Sequence, residues 1–339
     1  MNLRRRCTFS LVLCFVLISM VSLFMYISLT TQSNHVYTFS KANIVKESIP
    51  ASPGFKYPLD FVYPYNYKFT LNEPEKCQHK DVFLVLLITT RVNEFATRFA
   101  IRKTWGNEGL VPGVFIVRLF LVGIDKHFPD LLQELLKEES MLFHDIIQQN
   151  FVDSSINLTI KTLMGLQWVN TFCPKASYIA KLDGDIFLNT EHLVRFLNPN
   201  MLTKENYFTG YVIRGTAPYR DSAWKYYVPY ELYEPDYYPP YCGGTAYAFS
   251  GDMAKKIYDI AHVIKPFNIE DAFIGVCLEK LGINISEPKK NIFYGHKMEY
   301  ETCRFSELIT VHHISPEELL QIWPVFMTSK DKCQSAKDN

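Results

Sequence analysis

Two aspartates one residue apart, Asp183 and Asp185, follow an apolar segment in "AKLDGDIFLN", residues 180–189. Carboxylates this close repel each other unless a cation lies between them. A divalent ion such as Mn²⁺ or Mg²⁺ takes oxygen ligands and also bridges phosphates. Gly184 between them suits a backbone that turns sharply or approaches a ligand closely. The alternative is an Asp-Gly turn with two solvated carboxylates.

A second acidic pair, Glu270 and Asp271, comes directly before a predicted helix in "NIEDAFIGVCLEKLGI". Acidic residues at a helix N-terminus stabilise the helix dipole by about 0.3–1 kcal/mol, which accounts for the pair without any chemistry. The other interpretation is that one of the two projects into a cleft as a general base. The pattern by itself is compatible with both.

Histidines that can complete a metal site with Asp185 lie in "GHKMEYETCRFSELITVHHIS". Imidazole suits Mn²⁺ less well than Zn²⁺ but is still a ligand. His312 and His313 are the main candidates and His296 is a weaker one, whereas a lone histidine is more often structural.

Alternating strands and helices surround these motifs. The run "DVFLVLLITT" is typical of a strand buried on both faces, and "EFATRFAIRKTW" has helical spacing. The alternation predicts an α/β fold with a Rossmann-like, mostly parallel sheet flanked by helices. In such sheets ligands bind beyond the carboxyl ends of the strands, where Asp183 stands. No G-x-G-x-x-G follows the first strand, which disfavours a hydride-transfer enzyme.

The N-terminus predicts a membrane anchor. Three arginines, Arg4 to Arg6, precede 23 uncharged residues, enough to span a bilayer core of ~30 Å as a helix. Arginines held in the cytosol make the chain a single-pass type II membrane protein with its bulk in the lumen. We therefore predict a cytosolic tail (1–6), a transmembrane helix (7–29), a lumenal stem (30–80), a catalytic domain (81–325) and a C-terminal tail (326–339).

Composition narrows the class further. Lys plus Arg and Asp plus Glu both number 35, so the chain lacks the positive surplus of nucleic-acid binders. Six cysteines beyond the anchor are compatible with disulfides, the alternative being buried free thiols. Sequons at Asn157 and Asn284 predict N-glycosylation in the secretory pathway. A segment crowded with tyrosine and proline, residues 219–251, suits sugar rings or ordinary packing.

Five motifs, in order, resemble the β-1,3-galactosyltransferase family within glycosyltransferase family 31. The motifs, which cover nearly the whole of the predicted catalytic domain, are "AIRKTWGNE", "NLTIKTLMG", "KLDGDIFLN", "YPPYCGGTAYAFSGD" and "EDAFIGVCLEKLGI". The resemblance implies a GT-A fold, a Golgi membrane location, a UDP-sugar donor and Mn²⁺ as cofactor.

The resemblance also implies residue roles. Asp185 would ligate the metal, Asp183 would face the nucleotide ribose, His312 would be the metal-binding histidine and Asp271 would deprotonate the acceptor hydroxyl. Residues from motifs that border the donor pocket are expected to bind the donor: Arg98, Arg102 and Lys161. The chain departs from the family pattern at Ala246, at Ala272 with Phe273, and at Gly295, where altered acceptor choice is the expected consequence.

The predicted activity is inverting transfer of galactose from UDP-galactose to the 3-hydroxyl of an acceptor sugar, expected to be an N-acetylhexosamine-terminated glycan on a glycoprotein or glycolipid, with formation of a β-1,3 linkage. One alternative is a β-1,3-N-acetylglucosaminyltransferase that uses UDP-GlcNAc, and another is a non-catalytic, membrane-anchored sugar-binding protein. A phosphohydrolase with a D-x-D nucleophile is disfavoured because it expects the aspartates after the first strand of the fold.

Overall fold

A seven-stranded sheet forms the centre of the protein in a computed structural model, which describes residues 67–78, 80–197 and 204–335. The strand order is β1-β4-β3-β2-β5-β8-β7. The ten strands of the described chain are β1 (Phe69–Leu71), β2 (Val82–Thr89), β3 (Phe115–Ile124), β4 (Ile146–Val152), β5 (Tyr178–Asp183), β6 (Ile186–Leu188), β7 (Phe208–Ile213), β8 (Tyr241–Ser250), β9 (Phe293–Tyr294) and β10 (Thr310–His312).

The sheet is parallel at its centre and antiparallel at both sides. Strands β4, β3, β2 and β5 pair in parallel, whereas β1 pairs antiparallel with β4, and β8 pairs antiparallel with both β5 and β7. The predicted α/β class is confirmed, but the expectation of a mostly parallel sheet holds only for the central four strands. The carboxyl ends of β2 and β5 therefore meet at one edge, as ligand binding requires.

Helices cover both faces of the sheet. They are α1 (Phe95–Lys103), α2 (Pro129–Phe143), α3 (Leu158–Phe172), α4 (Thr190–Leu197), α5 (Gly251–Ala261), α6 (Glu270–Leu281), α7 (Thr302–Glu307), α8 (Pro316–Ser329) and α9 (Lys332–Ser335). Successive β2 residues point to opposite faces, so Val85 joins the apolar cluster under α3, α5 and α6, and Leu86 joins the one under α1 and α8. Burial on both faces explains why β2 is apolar throughout.

A small second sheet, ordered β6-β10-β9, begins directly after the D-x-D segment. Its antiparallel register pairs Ile186 with His312, and the amide of Ile314 donates to the carbonyl of Asp185 at 2.9 Å. This pairing brings the segment around residue 312 beside Asp185, 127 positions away in the chain.

The packed domain extends beyond the predicted boundaries at both ends. Before residue 81, β1 pairs with β4 and Cys77 forms a disulfide with Cys173. After residue 325, α8 continues to Ser329, and Cys303 forms a disulfide with Cys333. The stem boundary predicted at 80 and the tail boundary predicted at 326 leave these contacts outside the catalytic domain, since local composition does not show which residues a strand pairing or a disulfide holds.

Two further sequence expectations concern the cysteines and the anchor. Four of the six cysteines form disulfides, while Cys242 and Cys277 are buried free thiols. None of the helices in the described ranges is long and apolar enough to cross a bilayer. The predicted tail at 1–6, the anchor at 7–29 and most of the stem lie outside the described residues.

Candidate active site

Asp183 ends β5 and is held by two donors. The Thr89 hydroxyl donates to its Oδ1 at 2.9 Å, and Lys181 Nζ donates to the same oxygen at 2.7 Å. Thr89 comes from the end of β2, so the two central strands fix this carboxylate together. Both of these bonds go to Oδ1, and the Asp183 side chain is 28% exposed.

Gly184 fits because the backbone approaches β2 and α1 closely. A Cβ built on it would lie 3.1 Å from a methyl carbon of Thr90, 3.1 Å from one of Thr97 and 3.2 Å from the carbonyl oxygen of Thr89. Each of these is tighter than an ordinary carbon contact, so any side chain here would displace its neighbours. The close approach at Gly184 is to neighbouring protein atoms, whereas the sequence expectation was a sharp turn or a close approach to a ligand.

Asp185 and two histidines form a group that can bind a metal ion. His312 Nε2 lies 3.2 Å from Asp185 Oδ1, and His313 Nδ1 lies 3.6 Å from Asp185 Oδ2. One ligand atom from each of the three residues lies within 4.8 Å of the others. A carboxylate oxygen with two imidazole nitrogens suits a first-row divalent cation such as Mn²⁺. The donor set therefore fits the predicted cofactor, and it includes His313 as well as His312.

Charge coupling within this group is visible in the pKa values. Partial burial would raise the pKa of Asp185, but the hydrogen bond from His312 and its charge outweigh burial and lower it. Burial would likewise lower the pKa of His312, and the bond to Asp185 and its charge raise it instead. A bound cation would take the place of the proton on His312, because imidazole binds metal in its neutral form.

A cleft of about 280 Å³ opens beside Asp183 and Asp185. It is lined by residues that follow the carboxyl ends of β2, β4 and β5, together with the facing sides of α1 and α3: Thr89, Thr90, Arg91, Glu94, Thr97, Asp153, Ser154, Ser155, Leu158, Lys161, Asp183, Gly184 and Asp185. Lys161, predicted to bind the donor, lines this cleft. Its Nζ donates to Asp153 Oδ1 at 2.6 Å and to the Thr90 carbonyl at 2.7 Å.

Arg98 and Arg102, also predicted to bind the donor, do not line the cleft. Arg98 is completely buried and donates to Glu139, while Arg102 donates to Glu139 at 2.6 Å and to Asp145 at 2.7 Å. Arg118 donates to the same Asp145. Arg98 thus ties α1 to α2, and Arg102 ties α1 both to α2 and to Asp145, the residue before β4. Thr97 of the same helix lines the cleft, whereas Arg98 and Arg102 do not, and donor binding by these two arginines stays a prediction from the sequence.

Asp271 lies at the start of α6 and is partly buried. Its Oδ2 accepts from the Gly244 amide at 3.0 Å, and its Oδ1 accepts from the Ala272 amide at 2.9 Å. Burial raises the pKa of Asp271 despite these two bonds and the nearby charge of Lys181. A carboxylate with a raised pKa in a partly open position has the properties of a general base.

Glu270, the neighbour of Asp271, has a different environment. It is 2% exposed, accepts from the Tyr247 hydroxyl at 2.5 Å and lies 3.8 Å from Lys181 Nζ. A fully buried carboxylate paired within the core cannot take a proton from an incoming hydroxyl. The sequence did not decide which of Glu270 and Asp271 could be the general base. Of these two acids, only Asp271 is accessible to a substrate in the structure.

Tyr241, the first residue of β8, lies near both Asp271 and Tyr219 of the loop between β7 and β8. Burial raises the pKa of Tyr241, and the nearby Asp271 carboxylate and Tyr219 hydroxyl raise it further. The hydrogen bond that Thr216 donates to Tyr241 acts in the opposite direction. The exposed ring of Tyr219 stacks on Trp224 with centroids 5.7 Å apart. The composition of this segment was compatible with sugar binding or with ordinary packing. It could not show which of its aromatic side chains are exposed and which are buried.

The two sequons lie in different environments. Asn157 is 5% exposed, and its Nδ2 donates to the Val152 carbonyl at 2.8 Å. That packing leaves no room for a glycan on the nitrogen, so the structure argues against the prediction at Asn157. Asn284 is exposed, which is compatible with glycosylation.

The cleft segments 89–91 and 153–155 were not predicted from the sequence. The contacts of the buried Lys181, which does not line the cleft but donates to Asp183, were not predicted either. A usable signal existed for the two segments, since both directly follow predicted strands. For Lys181 there was none, because a lysine inside an apolar strand gives no indication of its partners.

Comparison with known sequences gives a consistent result. A family model described as galactosyltransferase matches residues 96–306. Beta-1,3-galactosyltransferase 2 of Mus musculus is 45% identical over 275 residues, which cover 80% of this chain but only 65% of that protein, just under two thirds of its length. Beta-1,3-galactosyltransferase 1 of Mus musculus is 47% identical over 264 residues, covering 77% of this chain and 79% of that protein.

Among solved structures, a Drosophila β1,4-galactosyltransferase 7 mutant in complex with manganese, UDP-Gal and xylobiose is 12% identical. The match covers 62% of this chain and 66% of that chain with a TM-score of 0.33. A score of this size does not establish a shared fold.

Proposed function

Because the chain belongs to the galactosyltransferase family, we propose that it is a UDP-galactose-dependent β-1,3-galactosyltransferase with a GT-A fold. One observation carries the proposal: a metal-binding group at Asp185 adjoins a cleft at the strand ends, while a separate, partly buried carboxylate of raised pKa, Asp271, lies at the start of α6. The group at Asp185 is suited to bind the donor through a metal ion, and Asp271 is suited to deprotonate the acceptor.

On the donor side, Asp185, His312 and His313 would hold Mn²⁺. When bound, the cation supplies Lewis-acid stabilisation of the charge that builds on the UDP leaving group. The Oδ2 of Asp183 is suited to accept from a ribose hydroxyl, and the cleft residues that follow β2 and β4 are suited to hold the nucleotide. Lys161 adds positive charge to the cleft wall.

On the acceptor side, Asp271 takes the proton from the 3-hydroxyl as its oxygen attacks C1 of galactose. The C1 bond to the UDP phosphate oxygen breaks as the new bond forms, so an α-linked donor gives a β-linked product. This single displacement needs one base and no protein nucleophile. The exposed rings of Tyr219 and Trp224 are suited to the apolar faces of an acceptor glycan.

The proposed location is the Golgi membrane, with the catalytic domain in the lumen as a single-pass type II protein. The two disulfides and an exposed sequon at Asn284 support an oxidising, glycosylating compartment. The anchor itself is proposed from the sequence of residues 7–29.

The decisive experiment incubates the full-length protein with UDP-sugars and N-acetylhexosamine acceptors, with and without Mn²⁺. We expect transfer from UDP-galactose alone, dependent on Mn²⁺, and a β-1,3 linkage in the product by NMR. Preference for UDP-GlcNAc would make the protein an N-acetylglucosaminyltransferase instead. A protein that binds glycan but ignores both UDP and Mn²⁺ would be a sugar-binding protein.

A further inference from the structure

We propose that Lys181 is a positioning residue that sets the geometry of Asp183 on the donor side and of Asp271 on the acceptor side at the same time. The inference rests on the proposed function, in which Asp271 is the base. It concerns a side chain inside the sheet that need not touch either substrate.

The contacts of the Lys181 ammonium connect the two sides. Nζ donates to Asp183 Oδ1 at 2.7 Å and to the Gly244 carbonyl at 2.6 Å. The amide of the same Gly244 donates to Asp271 Oδ2 at 3.0 Å. One cation therefore holds Asp183 directly and holds Asp271 through a single residue of β8.

The strand register makes this link rigid. Lys181 lies opposite Tyr247 in the antiparallel β5–β8 pair, and its side chain runs along β8 toward Gly244. A Cβ built on Gly244 would lie 3.4 Å from Asp271 Oδ2, so the backbone and the carboxylate are already in contact. A shift of the Gly244 peptide would consequently move the Asp271 carboxylate.

The charge environment explains why a buried lysine stays ionised. Lys181 is 1% exposed, and burial alone would lower its pKa, but Asp183 and Glu270 raise it well above the ordinary value. An ammonium group has three protons; two go to Asp183 and Gly244, and the third faces Glu270 Oε2 at 3.8 Å. Glu270 is 2% exposed, so this ion pair helps to compensate its buried charge.

The direct test replaces Lys181 by methionine, which keeps the length of the side chain and removes the charge. In full-length K181M we expect kcat to fall about 100-fold or more, the range for loss of a well-placed base. Binding of UDP with MnCl₂, measured by calorimetry, should weaken by less than about tenfold, since Asp183 keeps its bond from Thr89. A loss in kcat that exceeds the loss in binding is the signature of misplaced chemistry.

The pH profile gives a readout that a purely structural role would not move. Since Lys181 stabilises ionised Asp271, its removal should shift the acid limb of kcat to higher pH. Other titratable groups near Asp271 remain in K181M: Glu270 on its own helix, Tyr238 before β8, and Tyr241, Cys242 and Tyr247 on β8. Because Lys181 also lowers the pKa of Glu270, the same profile is measured in a variant that combines Lys181→Met with Glu270→Gln, where residue 270 cannot titrate.

A paired variant guards against misfolding. K181M leaves Glu270 buried without a counter-charge, which is strongly destabilising. Combining Lys181→Met with Glu270→Gln removes both charges, so this protein should fold better than K181M while kcat stays low. Recovery of wild-type kcat in the double variant would mean that Lys181 only neutralises Glu270. Failure of both variants to fold would mean that Lys181 has a structural role. Either result overturns the proposal.

Lys330→Met serves as the matched control, because Lys330 is 13% exposed and pairs with Glu191 at 2.5 Å on the α8 side of the protein. We expect its kcat to match wild type, and an equal loss there would overturn the proposal. An active wild type whose K181M variant is equally active overturns only this inference. A wild type that transfers no sugar to any acceptor overturns the proposed function instead.

Discussion

His312 and His313 are consecutive residues, yet both imidazoles face Asp185, and their rings stack with centroids 3.7 Å apart. Consecutive side chains of an extended strand point to opposite faces. The backbone of His313 avoids this because it has a left-handed conformation, with φ of 59°. For a residue other than glycine that conformation costs of order 1 kcal/mol or more, and it occurs mainly where a site requires it.

Replacement of Asp185 by asparagine should abolish metal-dependent donor binding. Asparagine keeps the shape but removes the negative charge that a divalent cation needs, so we expect UDP affinity in Mn²⁺ to fall by roughly two orders of magnitude. Calorimetric titration with UDP, with and without MnCl₂, measures this. His313→Ala should weaken Mn²⁺ binding as well, and unchanged Mn²⁺ affinity in both variants would exclude this group as the metal site.

Replacement of Asp271 by asparagine should separate binding from chemistry. Asparagine can still accept from the Gly244 amide but cannot take a proton, so kcat should fall by about 10²–10⁴-fold with UDP binding nearly intact. Initial rates of transfer and calorimetry on the same preparation measure the two quantities. Transfer at the wild-type rate would show that another group is the base.

Activity should fall on the acid side as Asp271 becomes protonated. The base is active when ionised, and burial raises its pKa above the ordinary value of 3.8, so the acid limb of kcat should lie above that value. Saturating Mn²⁺ and UDP-galactose keep the titration of His312 from contributing. An acid limb at or below pH 3.8 would contradict the assignment.

Replacement of Arg102 by alanine should destabilise the protein without altering its donor site. The change leaves Glu139 and Asp145 without one of their buried partners, and breaking such a pair costs about 3–5 kcal/mol. Thermal unfolding measures the loss, and UDP binding at low temperature should match wild type.

The exposed pair Arg304–Glu307, at 3.5 Å, offers a control, since R304A should change the free energy of unfolding by less than about 1 kcal/mol. Loss of UDP binding by folded R102A would instead support the sequence-based prediction that this arginine binds the donor.

Glycan occupancy should differ between the two sequons. Asn284→Gln should abolish a glycosidase-sensitive shift in electrophoretic mobility, because Asn284 is exposed. Asn157→Gln should leave the shift unchanged, because the Asn157 nitrogen is buried and donates to Val152. Mass spectrometry of the glycopeptides provides an independent measurement, and a glycan found on Asn157 would contradict this prediction.

The sequence by itself determined the α/β class, the strand that ends at Asp183 and the start of the helix that bears Asp271. These follow from local patterns, since buried strands are apolar and acids favour helix N-termini. The family motifs then predicted roles for Asp185, His312 and Asp271 by resemblance.

The tertiary structure alone decided which side chains meet. Strand β10 brings His312 and His313 to Asp185 across 127 residues of chain, and Lys181 reaches Gly244 across 63. It also placed Arg98 and Arg102 in a buried ion network, and buried Asn157. The physical reason is that strand register, side-chain direction and burial are set by packing between distant segments, which residue types and local spacing do not specify.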